Sequence, residues 1–543
     1  MQKKLRKQIA LVIAVLLCII ITATACTPAS TDQTPEKTPE PKKTAAPTKE
    51  PEPTEEPPTK LTMFFGDAGI AFPSDVDVSD NPFLNIIEEA ANVDLEMIQP
   101  SYADFQTRFN LLMGSGELPD IVHCWFHADI NKYGAEGAFA NWEDLLPQSP
   151  ILSEIYTKDL LDMMRTDDGN VYGLYVQSAR SPSGTYARMD LIREVWGDKV
   201  PKTPDDWFEV MSLVKEAYPD SVPFSTRGGF MMADMFFKAF GSQVDGNGVK
   251  MQVTDDNKYI WAFEYPGTRD AVEYHKKLYE SNLLDETFVT NTTTELENRI
   301  MEKNMMVWRG DSAAVLNRQQ EFAKAGNTTA LVGFTNNPIA PGVEPRLAYW
   351  SFSPLGWHIV SISEASPNKE AALRVFEAFL DEDITNEISW GREGIEYFVR
   401  QDGSRVLDVE INAQTYYRNA YLFMRAYWYA DSMDVRMAGV LPRMDGNQAS
   451  KFSELWQTGI QTVTEENSSI PEVTYASFVP TIADLAPKSA EARAESLNIM
   501  YRAIMDEISM EEYDELVSEW LEKYKYITDA YTEELQKVIQ ERG

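Results

Sequence analysis

Four side chains able to hold a metal fall close together at His123, Cys124, His127 and Asp129. Zinc sites use such nitrogen, sulfur and oxygen donors. Here the two histidines sit four apart at the end of an extended segment, not within a helix where i and i+4 share a face, so the set reads as accidental. No G-x-S-x-G elbow, glycine-rich phosphate loop or H-E-x-x-H pair is present. Among 85 acidic residues, carboxylate pairs for glycoside hydrolysis are too abundant for any one pairing to be specific. Binding chemistry is better marked. Trp125 follows the predicted strand at Ile121-Val122, Trp308-Arg309-Gly310-Asp311 follows Met305-Met306-Val307, and Trp357 precedes Ile359-Val360. Flat rings beside Asp and Arg suit a ligand with apolar faces and hydrogen-bonding edges. Phe65 and Asp67 end the first predicted strand, where an open α/β sheet presents its ligand loops. Core packing is the competing explanation for each Trp, and an ordinary turn for Phe65 and Asp67. Trp207, on an apolar helix stripe, is expected in the core.

The elements that would carry these residues alternate. Leu61, Met63 and Phe65 mark a strand buried on both faces, and Asn81-Pro82 supplies a cap and first residue for a helix bearing Phe83, Ile86, Ile87 and Ala90. Val93, Leu95 and Met97 give a second strand. Ser101 is expected to cap a helix with Phe105, Phe109, Leu112 and Met113, stopped by Gly114 and Gly116, before a strand entered at Pro119. This order begins an α/β lobe with a parallel sheet. A second cycle opens at Tyr186, with a helix starting at Thr203-Pro204-Asp205-Asp206. Residues 490–542 show helical patterning alone.

After residue 59 some 480 residues remain, roughly, which is too many for one hydrophobic core. The chain's net charge of -36 belongs almost wholly to that body. It argues against nucleic acid and anionic lipid as partners and weighs, less strongly, against a polyanionic ligand. Ahead of the body, Lys3, Lys4, Arg6 and Lys7 precede an apolar run from Ile9 to Ile21 and then Ala23-Thr24-Ala25-Cys26. This reads as a secretory signal, too short to span a bilayer as a helix. The Cys after small residues resembles the lipobox of bacterial lipoproteins, with Ala23 where Leu is usual, so residues 1–25 are expected to leave and Cys26 to carry lipid. Residues 27–59, rich in Pro, Thr, Glu and Lys, form a disordered tether. Loss of Cys18 with the signal and lipidation of Cys26 leave Cys124 alone, so no intramolecular disulfide is expected.

Phe109 to Val122, with Gly114, Gly116 and Leu118-Pro119-Asp120, resembles the signature of extracellular solute-binding proteins of carbohydrate ABC importers. Tyr133 to Phe139, Trp142 to Leu146, Asp168 to Tyr175, Tyr186 to Ile192 with Pro204 to Glu209, and Gly391 to Tyr397 follow in that family's order. The layout is similar to lipoprotein and alginate-oligosaccharide-binding members with a long helical C-terminal part.

The resemblance implies an α/β fold of two lobes, the type II periplasmic-binding-protein arrangement, closing by hinge motion on a ligand in the cleft. One lobe would comprise 60–180 and about 325–395; the other, 181–324 and about 396–543, including the C-terminal helices. Ligand contacts are expected from Phe65, Asp67, Trp125, Tyr175, Arg188, Trp308, Asp311, Trp357 and Trp428, the last lying where oligosaccharide-binding relatives place a stacking Trp. Arg188 and Asp190 match the family's crossing motif, though an ion pair explains them equally. The implied protein binds a sugar or oligosaccharide, performs no catalysis, works as a monomer with permease subunits, and sits on the outer face of the cytoplasmic membrane through lipid alone. A tethered glycoside-active enzyme or adhesin, and a binder of peptide or another solute, are the rival readings. No cofactor is expected. Relatives' calcium loop is missing from Ala217 to Phe224, and Asp75 to Asp80 lacks the EF-hand Gly and bidentate Glu.

Overall fold

The computed structural model describes residues 57–177, 182–352, 354–425 and 432–543. The leader, Cys26 and the tether lie outside them. Two open sheets organise the body. The first contains β1 (Thr59–Phe64), β2 (Val93–Ile98), β3 (Ile121–Cys124) and β4 (Leu174–Gln177). The second contains β5 (Ser183–Arg188), β6 (Val307–Asp311) and β7 (Val332–Phe334), and the chain then returns to the first sheet as β8 (Leu355–Ile362).

The order in the first sheet is β2-β1-β3-β8-β4. β1 runs parallel to β2 and β3, as the strand-helix alternation predicts. β8 departs from the expected parallel sheet: it pairs antiparallel with both β3 and β4. In the second sheet, β5 lies between β6 and β7 and is antiparallel to both, so the second cycle does not build a parallel sheet.

Local chemistry starts the helices. Asn81 Oδ1 accepts from the N–H groups of Phe83 and Leu84, and Pro82 supplies a pre-set φ. Thr203 and Asp206 form a reciprocal capping box at Pro204–Ala217, which buries Trp207 as expected. The helix at Phe105–Ser115 begins later than the Ser101 cap implies, because Ser101 closes a turn onto Asp104 instead. It runs through Gly114 and stops at Gly116, whose φ of 71° favours glycine.

Each sheet has its own apolar core. Leu61, Met63, Ile87, Leu95 and Trp142 pack in the first. The segment Tyr416–Met424 lies beyond the sequence boundary near 396, yet its Tyr417, Tyr421 and Met424 join this first core. The second core gathers Trp207, Phe236, Trp261 and Leu278 with residues of the C-terminal helices Ala486–Ile504 and Met510–Arg542. Trp520 donates to the carbonyl of Ala492, and Trp261 to that of Tyr524, which fixes those helices on the second lobe. Among the described residues, no helix is long and apolar enough to cross a membrane.

Candidate functional site

The C-terminal ends of β1, β2, β3 and β4 and the start of β8 meet along one rim of the first sheet, the edge where open α/β sheets present ligand loops. Tyr102, Trp125, His127, Tyr175, Trp357 and His358 all lie on it. Trp125 stacks on Phe105 with centroids 4.4 Å apart, and Tyr102 leans on its ring at 5.7 Å. Tyr175 meets His127 at 4.3 Å, and His358 stacks on Phe423 at 4.3 Å. Trp357 is 77% exposed and Tyr102 51%, so the rim offers flat rings to solvent. That combination suits the C–H face of a sugar ring.

A hydrogen-bond line holds the rim. Gly66 N–H donates to His123 Nδ1 at 3.2 Å, so in the neutral ring Nε2 carries the proton, and Nε2 lies 3.0 Å from His358 Nδ1. His127 Nε2 donates to the carbonyl of Trp357 at 2.7 Å. Burial, and then the neighbouring His358, push the His123 pKa well below the ordinary value. Burial, with His127 next, lowers His358 to about 3. The rings are neutral spacers and hydrogen-bonding groups. Gly66 matters through its missing side chain: a Cβ there would lie 2.5 Å from Trp125 Cζ3.

The expected contacts divide. Trp125, Tyr175 and Trp357 come together on the rim. Phe65 is fully buried behind it, 5.2 Å from the His123 ring and 5.9 Å from Tyr421, and so supports the rim without reaching a ligand. Asp67 is also buried: Oδ1 accepts from Gly69 N–H and Oδ2 from Gln99 Nε2, so it shapes the loop. Burial raises its pKa.

Trp308 is a correction. The strand starts at Val307, so Trp308 lies within β6 opposite Tyr186, stacked on it at 5.3 Å with none of its surface exposed. Arg188 is corrected too: it is buried, pairs with Asp190 at 2.6 Å and covers the Phe322 ring. Asp311 ends β6 in the second sheet and caps the helix Ser312–Lys324, accepting from Ala314 N–H at 2.8 Å. Trp428 lies outside the described residues. Cys124 is buried with its thiol pushed up to about 12, and among the described residues no cluster of three or more His, Cys, Asp or Glu could hold a metal.

Beside the rim opens a groove of about 490 Å³. It is lined by the turn after β1, Ala68–Ala71, by Asn412, Tyr416 and Phe423, and by Asn317, Gln320, Lys324, Arg436 and Arg443. Phe423 belongs to both groove and rim. His358, Phe423, Tyr102 and this amide-rich lining escape sequence reading. His358 follows Trp357 directly, a cue that was there to take; Phe423 sits in an apolar run indistinguishable from core.

A bacterial extracellular solute-binding protein model matches residues 78–385, more than half the chain. This chain belongs to that family. Similar solved structures agree on a two-lobed fold for this solute-binding protein. An extracellular solute-binding protein from Bifidobacterium longum subsp. infantis has a TM-score of 0.65 at 16% identity, covering 89% of this chain and 99% of that one. The alginate-binding protein AlgQ2 has 0.66 at 17%, covering 89% and 98%. The N-glycan transport solute-binding protein of Streptococcus pneumoniae has 0.61 at 15%, covering 90% and 100%. No curated protein matches at a comparable level. As a member of an extracellular family, the solute-binding protein is exported.

Proposed function

We propose that this protein captures an oligosaccharide on the rim of its first sheet and delivers it to the permease of an ABC importer. The observation that carries the reading is the row of partly exposed rings, Tyr102, Trp125, Tyr175 and Trp357, braced by neutral histidines at the ligand-loop edge. Such rings bind sugar faces by apolar contact and leave the hydroxyl edges to amides, which Asn317, Gln320 and Asn412 supply. The names of the alginate-binding and N-glycan transport structures support a glycan ligand. Two lobes would close over it by a hinge, a lipid on Cys26 would hold the body at the membrane, and no bond would be broken.

The test is a thermal-shift screen against a carbohydrate panel, with product analysis on every hit. A ligand at 100 times its Kd should add about 2.7 kcal/mol of stability. Stabilisation with the glycan recovered intact is the expected outcome. Cleavage of the glycan would replace the binder by an enzyme, and no shift across the panel would remove the carbohydrate reading.

A further inference from the structure

The groove beside the rim carries a charge that the rest of the chain does not lead one to expect. Lys324, Arg436 and Arg443 line it, in a protein of net charge -36. Glu321 is the one carboxylate among its described lining residues, and Arg318 already holds it at 2.5 Å.

These cations are not spent on carboxylates. Arg436 donates to Asn317 Oδ1 at 2.9 Å, a neutral acceptor. Arg443 donates from Nη2 to the carbonyl of Val409 at 2.9 Å, while its buried Nε has no partner. Lys324 makes no hydrogen bond or ion pair with the described residues. Burial, and then the charge of Arg443, lower the Lys324 pKa against the smaller opposing pull of Glu321, so the like charge outweighs the one nearby carboxylate. The distant acidic surface does not cancel such a cluster. At physiological salt, exposed charges farther than about 8 Å are largely screened, whereas groups inside a groove act at short range.

We infer that this groove reads an anionic group, a carboxylate or a sulfate ester, carried by one ring of the bound oligosaccharide. The inference rests on the carbohydrate reading above and narrows it. Phe423 joins the two surfaces, since its ring stacks on His358 of the rim and also lines the groove. A ligand of several rings would lay neutral rings on Trp125 and Trp357 and place its charged ring against Lys324 and Arg436. A wholly neutral glycan would find its hydrogen bonds in Asn317, Gln320 and Asn412 and would leave the three cations facing one another.

The decisive experiment prints matched oligosaccharide pairs that differ in one uronate carboxylate or one sulfate ester, then titrates the best pair calorimetrically into the full chain. The charged member should bind at least about tenfold more tightly, as expected of charge-assisted hydrogen bonds, and lose that advantage as salt rises. Whether the preferred member bears carboxylate or sulfate identifies the source of the anion. Lys324→Gln and Arg436→Gln should each reduce the preference at an unchanged melting temperature, and Lys324→Gln, which touches none of the amides, should also leave the neutral member's affinity unchanged. Equal or tighter binding of neutral members overturns the inference and leaves the carbohydrate reading standing. Retention of the full preference in both variants also overturns it. Capture of no member removes the carbohydrate reading and the inference with it.

Discussion

Trp357 and Trp308 both belong to segments that the sequence marks as tryptophan beside a strand, yet one is 77% exposed and the other 0%. Trp357 sits near the start of β8, in its exposed first half at the rim of the first sheet. Trp308 sits inside β6, against Tyr186 and among Leu296, Ile300, Val315 and Phe322. The histidines divide in the same way. His123 and His358 brace the rim, whereas His275 is stacked on Phe237 at 4.4 Å in the second core. Residue type therefore does not distinguish a ligand surface from a core. What the strand is paired and packed against does: Trp357 falls in the irregular stretch between the Leu355–Gln177 and Ile359–Tyr175 pairs, whereas Trp308 is a regular pair of Tyr186 inside a core.

Trp308→Ala should give the largest effect. It should cost about 3–5 kcal/mol of stability in denaturant unfolding, with the folded fraction binding normally. Lost binding at unchanged stability would make Trp308 a ligand contact and erase the contrast.

Acid should act next. His275 is neutral in the fold, with its pKa lowered to about 4 by burial, whereas an unfolded histidine titrates near 6.5. Between those values the unfolded chain binds more protons, so stability is full above about pH 6.5 and falls as pH drops toward 4. At pH 5 the loss from His275 alone is about 2 kcal/mol. His123 contributes with the same sign. Urea melts at pH 7.5 and 5 should show this acid limb, and His275→Phe should flatten it. An unchanged limb in that variant would assign the acid sensitivity elsewhere.

Trp357→Ala should weaken glycan binding by roughly 1–2 kcal/mol and leave stability within about 1 kcal/mol, the mirror image of Trp308→Ala. Titration and melting of one preparation test both halves. The smallest effect is expected at Arg542, which pairs with Asp159 at 3.2 Å and with Asp162, and lies 3.8 Å over Phe478. Arg542→Ala should cost no more than about 1 kcal/mol, and less in high salt, because the pairs are partly solvated. A larger loss would mean that the end of the last helix is a principal tie between the lobes.

Local signals were the legible part of the fold. Asn81-Pro82 and Thr203 with Asp206 announce helix starts because the side chains bond to their own backbone, a contact a few residues long. Trp207 was readable from a helical stripe. The antiparallel entry of β8 was not, because its partners β3 and β4 lie far back in the chain and a strand buried on both faces shows the same pattern in either direction. At the site, Trp125 and Trp357 were readable from their places beside predicted strands, and Tyr175 only from the resemblance of its segment, Asp168 to Tyr175, to the family's. Trp308 failed by a strand that begins two residues later than its apolar run, at Val307 rather than Met305. Phe65 and Asp67 lie in the right loop but turn inward. The cationic lining was hidden because Lys324 lies more than a hundred residues from Arg436 and Arg443, which lie on consecutive helical segments, and nothing local draws it to them.

The insertion of β8 into the first sheet also sets a timetable. Ile362 pairs with Ile121 and Val360 with His123 across roughly 240 residues of chain, and Val360 with Leu174 across roughly 190. At ordinary synthesis rates that strand emerges roughly 10–50 s after its first partner. Until then the sheet that bears the ligand rim lacks its fourth strand, and such distant pairings are slow to form even when all the chain is present. For a protein that must leave the cell, slowness is useful: a sheet still waiting for this strand leaves the polypeptide threadable while its export begins.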